Sequence, residues 1–228
     1  MTAGGIPARD RLALAIGGAV AAWLLLGSRS PRPNVGEGVY PVPAPAAGGP
    51  LGYQGSLYAL PPEPLATAPH DVWQLSPEAQ RAVDTAGSIR YVGGGPWNAA
   101  NCARTMTPHA LDLGALVRSM FPWVRTIGGL RCEPRHVWHG DDELSIHAVG
   151  RALDVMTPVP PQVYGGPQGE QLANWAVANA SALGIQLVIW NRMSWQGNLR
   201  PADRFAAYTA GRDVTTEHRN HVHVEVNS

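Results

Sequence analysis

Near the C-terminus, His221-Val222-His223-Val224-Glu225-Val226 alternates polar and β-branched side chains at every step. A period of two marks a strand with one buried face. The valines then lie on one side, and His221 and His223 project together from the other. Two imidazoles on one strand face can serve one metal ion, one as ligand and one beside it. Upstream, Ser145-Ile-His147-Ala-Val-Gly150-Arg151-Ala-Leu-Asp154 sets a histidine before a glycine-containing turn and an aspartate beyond it. Arg151 to Met156 reads as a second strand, with Leu153 and Val155 on one face and Asp154 on the other. A catalytic zinc site takes three nitrogen or oxygen ligands and leaves its fourth position to water. His147, Asp154 and His223 are the candidate ligands for one Zn2+ per chain. Glu217 is the candidate general base, against the plainer alternative of a solvated carboxylate in the polar stretch Glu217-His-Arg-Asn220.

The joint pattern S-x-H-x-x-G-R-A-x-D followed by E-x-x-x-H-x-H resembles the superfamily of D-Ala-D-Ala metallopeptidases, lysostaphin-type enzymes and the hedgehog domain. The resemblance implies a zinc peptidase that cleaves amide bonds in peptidoglycan stem peptides or cross-bridges. It also implies His147, Asp154 and His223 as ligands and Glu217 as base, with His221 steadying the oxyanion. Trp123-Val-Arg-Thr-Ile-Gly-Gly-Leu-Arg131 is similar to a strand these domains carry, so Arg131 is the candidate donor to a substrate carboxylate or the transition state. The family's usual Gly-Tyr-Arg is Gly-Leu-Arg here. Two alternatives stand beside the peptidase. One is an inactive zinc-containing module that binds the cell wall or a partner. The other is an envelope-breaching component of a virus or injection particle.

Residues 1–30 form the first expected region. Leu12 to Gly27 is almost uninterruptedly apolar, with Arg9 and Arg11 before it and Ser28-Arg29-Ser30-Pro31-Arg32 after it. At 16 residues it is longer than most signal-peptide cores and shorter than the ~20 residues that span a bilayer comfortably. No clear A-x-A cleavage site follows, which favours an uncleaved membrane anchor over a cleaved signal, and a chain exported to the cell envelope. Residues 31–75 hold a dense run of prolines that can neither propagate a helix nor pair as a central strand. They read as an extended tether, on which Tyr40, Tyr53 and Tyr58 could dock back on the folded part. Residues 76–228 form the expected domain. The 17 basic and 17 acidic side chains balance, so nothing argues for a nucleic-acid partner.

Within the domain, Ser76-Pro77 is a helix start, serving a helix to about Ala86. Leu113, Leu116, Val117, Met120 and Phe121 recur at helical spacing up to Pro122. A further helix is expected from Glu170 to Leu183, stopped by Gly184, then a strand over Gln186 to Trp190. The fold class is therefore α+β: an antiparallel sheet bearing the zinc site on one face, with helices on the other, hedgehog/DD-peptidase-like by the resemblance. Asn191 to Thr216 reads as a long irregular loop along a substrate cleft, with Trp190 and Trp195 as packing residues and Arg200 and Arg204 solvated. His136 and His139 fall in a polar loop that could edge the cleft, and His218 ranks below His223 as a ligand because it precedes the strand. Cys102 and Cys132 invite a disulfide, whose closed loop could add ~3 to 4 kcal/mol on the chain-entropy model. A cysteine ligand for zinc is the weaker alternative.

Overall fold

The computed structural model describes residues 71–135, 142–158 and 164–228. The N-terminal apolar segment, nearly all of the proline-rich stretch and the His136 and His139 loop lie outside them. Among the described residues, no helix is long and apolar enough to cross a membrane. The expected membrane partner and envelope anchor gain no support from the described residues, whose apolar helices bury themselves in the protein's own core, and the segment they were read from lies outside those residues.

In chain order the elements are α1 (Pro77–Thr85), α2 (Pro108–Met120), β1 (Ile127–Gly128), β2 (Pro134–Arg135), β3 (Glu143–Leu144) and β4 (Ala152–Met156). They continue with α3 (Pro167–Ala178), α4 (Ala180–Leu183), β5 (Ile185–Trp190), β6 (Met193–Gln196), β7 (Phe205–Ala207) and β8 (His221–Val226). Six strands form one sheet in the order β1-β4-β8-β5-β6-β7, and β2 pairs with β3 separately. Every pairing is antiparallel. The α+β layering with an antiparallel sheet is thus as expected.

The helices begin where their chemistry allows. Ser76 and Thr107 accept from backbone N–H groups of the first turns of α1 and α2, each with proline just inside the helix. The expected single helix up to Leu183 is two, divided at Asn179, and Gly184 closes the second with φ +58°. Val222, Val224 and Val226 join Leu153 and Val155 in the core beneath α2 and α3. Gly169 lets α3 press on that layer, since a Cβ there would fall 2.2 Å from the Trp190 ring. The core starts before the expected boundary at residue 76: Trp73 is fully buried, its indole N–H donating to Asn174 Oδ1 at 3.1 Å.

The stretch after Trp190, expected to be irregular, adds two strands to the sheet. Asn191 and Arg192, at φ +40° and +69°, make a two-residue turn that folds β6 back along β5. Left-handed backbone at both turn residues matches the twist of a hairpin. Trp190 and Trp195 are packing residues, as read. Arg204 is not solvated. Its guanidinium donates to the carbonyls of Val83 and Ala86 at the end of α1, and to that of Leu199. Cys102 and Cys132 form a disulfide with Cα atoms 5.5 Å apart, which removes the cysteine-ligand alternative.

Candidate metal centre

Three candidate ligand atoms meet largely because of strand register. In the β4–β8 ladder Asp154 stands directly opposite His223, on the face away from the valines. His147 arrives from the turn before β4. That turn needs Gly150, whose φ is +72° and where a Cβ would sit 2.6 Å from the Thr105 carbonyl oxygen. Among the described residues, His147, Asp154 and His223 are the one cluster able to hold a metal ion, and all three are buried.

The geometry fits a cation. His147 Nε2 lies 3.2 Å from His223 Nδ1 and 3.3 Å from Asp154 Oδ1, and the latter two are 2.9 Å apart. Four ligands at ~2.0–2.1 Å in a tetrahedron have edges of about 3.3 Å. The far nitrogens are already committed. His147 donates Nδ1–H to the Gly129 carbonyl, and His223 donates Nε2–H to Glu225 Oε1 at 3.2 Å. Those tautomers aim two imidazole lone pairs and a carboxylate oxygen at one point. The three atoms lie close enough that a positive charge among them, a cation or a proton on His223, is favoured. Burial disfavours charge on His223, yet Asp154 and Glu225 outweigh it and raise its pKa to about 9. Burial likewise works against the Asp154 carboxylate, but His147 and His223 hold it well below the usual range. A metal ion entering here displaces that proton.

Glu225 was visible in the alternation but carried no assigned role. It is buried, and Gln186 Nε2 donates to its second oxygen at 3.1 Å. A carboxylate behind a ligating imidazole fixes tautomer and ring orientation. Arg131 is brought to the cluster differently from expectation. One guanidinium nitrogen donates to Asp154 Oδ2 and another to Glu133. Arg131 therefore orients a ligand and leaves Oδ1 as the oxygen facing the cation.

Two further imidazoles border the cluster. His221 Nε2 lies 3.6 Å from Asp154 Oδ1, while its Nδ1–H donates to Asn220 Oδ1 at 2.7 Å. His218 packs its ring 4.8 Å from that of His221 and 5.5 Å from that of His223, centroid to centroid, and donates Nδ1–H to the Thr216 carbonyl at 3.1 Å. Burial above all, then the neighbouring histidines, push His218 to about 2; burial also lowers His221 to about 4. Both rings stay neutral with Nε2 lone pairs uncommitted. Residue spacing alone missed His218, because its position depends on a left-handed φ of +54° that turns it back over the strand. Glu217, the expected base, is held by Arg192 at 2.9 Å, with Arg219 at 3.8 Å.

Residues 102–219, just over half the chain, match the family described as VldE, C-terminal domain. No curated protein and no solved structure matches. The match includes His147, Asp154, Arg131 and both cysteines, and ends before His221 and His223. It overturns the resemblance to D-Ala-D-Ala, lysostaphin-type and hedgehog proteins, and with it the hedgehog/DD-peptidase-like fold label, the peptidoglycan peptidase activity and the peptidoglycan partner. The physical reason is that a two-histidine, one-aspartate motif follows from coordination chemistry and recurs on unrelated folds. A motif of a few residues carries less identity than a match across a hundred.

Proposed function

We infer that this chain, which belongs to the VldE C-terminal domain family, is a metal-dependent hydrolase, with His147, Asp154 and His223 as the ligands. The convergence of three committed lone-pair atoms at tetrahedral spacing carries this reading. Two imidazole nitrogens and one carboxylate oxygen, with no sulfur, favour Zn2+ as the ion. When bound, such an ion polarises the bond to be broken and brings the pKa of water from 15.7 towards ~7.

The remaining residues supply hydrogen bonds and orientation. His218 presents a neutral Nε2 beside the cluster and is proposed to orient the attacking water by accepting a hydrogen bond from it. His221, its Nδ1–H tied to Asn220, presents a second neutral Nε2 that can accept a hydrogen bond from the reacting group. Arg131 occupies Oδ2 of Asp154 and leaves Oδ1 facing the cluster.

The test is hydrolysis of 4-nitrophenyl acetate and 4-nitrophenyl phosphate by the Zn2+-loaded protein, beside His147→Ala and the chelated wild type. Metal-dependent turnover of either ester supports the hydrolase. One equivalent of tightly held zinc with no turnover of either would remove the catalytic part of the reading and leave the metal site.

A further inference from the structure

The Glu217–Arg192 pair adjoins His218 in the chain through Glu217, and the His218 ring borders the candidate ligand cluster. The pair joins two segments with unusual backbones. Asn191 and Arg192 form the left-handed turn between β5 and β6, and His218 sits at φ +54° in the turn leading to β8. The two turns are tied by backbone bonds: Asn191 N–H donates to the His218 carbonyl at 2.7 Å, and Arg192 N–H to the Glu217 carbonyl at 3.0 Å. Arg192 Nε then donates to Glu217 Oε2 at 2.9 Å. Tyr208 N–H donates to the Arg192 carbonyl, and the Tyr208 ring packs edge-on against His218 at 5.1 Å. A left-handed, non-glycine residue persists only where its surroundings over-determine it. Here the surroundings include the neighbouring turn, the Arg192–Glu217 ion pair and the Tyr208 ring.

We propose that Glu217 is a positioning residue, which with Arg192 clamps the turn carrying His218 and fixes that imidazole against His221 and His223. The proposal rests on the hydrolytic reading for its catalytic consequence, but the clamp itself is a statement about where a ring sits. It explains why a carboxylate next to the cluster carries its charge towards arginines. It also explains why Arg192 stands at a left-handed turn position where glycine would fit more easily.

The experiment follows the imidazole nitrogen NMR signals of His218 and the turnover of 4-nitrophenyl acetate in the full-length Zn2+ protein. The variants are Glu217→Ala, Glu217→Gln, Arg192→Ala, the Arg192→Ala/Glu217→Ala double and His218→Ala. Glu217→Gln keeps an acceptor for Arg192 but cannot take a proton at neutral pH. The clamp predicts unmoved His218 signals and turnover within about threefold of wild type for that variant. Glu217→Ala and Arg192→Ala should each shift the His218 signals and lower turnover roughly ten- to a hundredfold, the scale expected for a misplaced group. The double variant should be no worse than either single one, because both break one interaction. Zinc affinity, read by competition with a chromogenic chelator, should stay within about threefold throughout, since the ligating triad is intact. Unmoved His218 signals in Glu217→Ala, or Glu217→Gln as inactive as Glu217→Ala, would overturn the clamp. Undiminished turnover in His218→Ala would instead overturn the role of His218 in hydrolysis, while the ring signals still judge the clamp.

Discussion

The two sides of the metal centre are built on opposite principles. The ligand side is a ladder: Asp154 and His223 face each other because β4 and β8 pair in one register, and a one-residue slip would turn both away. The His218 side is a pair of joined turns, with three non-glycine residues at positive φ, held by side chains and a few loop hydrogen bonds. Backbone pairing fixes the atoms that must converge on a cation within tenths of an ångström. Side-chain contacts hold the groups that need only approach it. The first arrangement should fail abruptly when a ligand is lost, and the second by degrees.

The sharpest test of that contrast is His223→Ala. It removes one of three ligands and leaves Asp154 and Glu225 without the imidazole between them. Zinc affinity should fall by at least about a thousandfold, measured by chelator competition, while far-UV circular dichroism retains the strand signal. Affinity within tenfold of wild type would mean that His218 or His221 can ligate, and the division between the two sides would disappear.

One step behind the ligands, Glu225→Ala should weaken zinc roughly ten- to a hundredfold, because the ring of His223 loses the carboxylate that sets its tautomer. The same assay reads it. An unchanged affinity would show that strand register alone orients His223. Gly150→Ala tests the one place where the ligand side depends on a turn. The added methyl meets the Thr105 carbonyl at 2.6 Å in a backbone conformation that L-residues avoid. A loss of ~1–3 kcal/mol in thermal or urea unfolding is expected, with zinc binding weakened as His147 shifts. A neutral outcome would mean that the segment around Thr105 yields without cost.

What the sequence disclosed divides along the same line. Periodicity of two found β4 and β8, and with the turn motif before β4 it found the three residues whose cluster could hold a metal ion, the shared face of His221 and His223, and the α+β layering. Capping chemistry at Ser76 and Pro77 placed the start of α1 to the residue. Long-range side-chain placement was out of reach. Nothing local says that Arg131 turns to Asp154, or that His218 folds back over the strand. The hairpin of β5 and β6 was hidden because its turn is Asn-Arg, where a glycine in the second position would have announced it. The family was misjudged for a related reason: the residues easiest to recognise are those that coordination chemistry repeats across folds.

Arg200 and Arg204 carry the comparison down to its smallest effect. Both lie in the stretch that composition marks as a polar loop, and both are arginines four residues apart. Arg204 is buried and satisfies two carbonyls at the end of α1, a job that water cannot take over in that place. Removing it as Arg204→Ala should cost about 1–3 kcal/mol, the penalty for buried polar groups left unpaired, read as a lower midpoint in urea. Among the described residues Arg200 pairs with Asp203, three residues on, with its own side chain almost wholly in solvent. Exposed pairs of this kind gain little because water and salt screen them, so Arg200→Ala should leave the urea midpoint where it was. If the two variants behaved alike, burial of the guanidinium would not be what organises this stretch. The β6–β7 extension of the sheet would then owe its order to strand pairing alone, as the ligand side does.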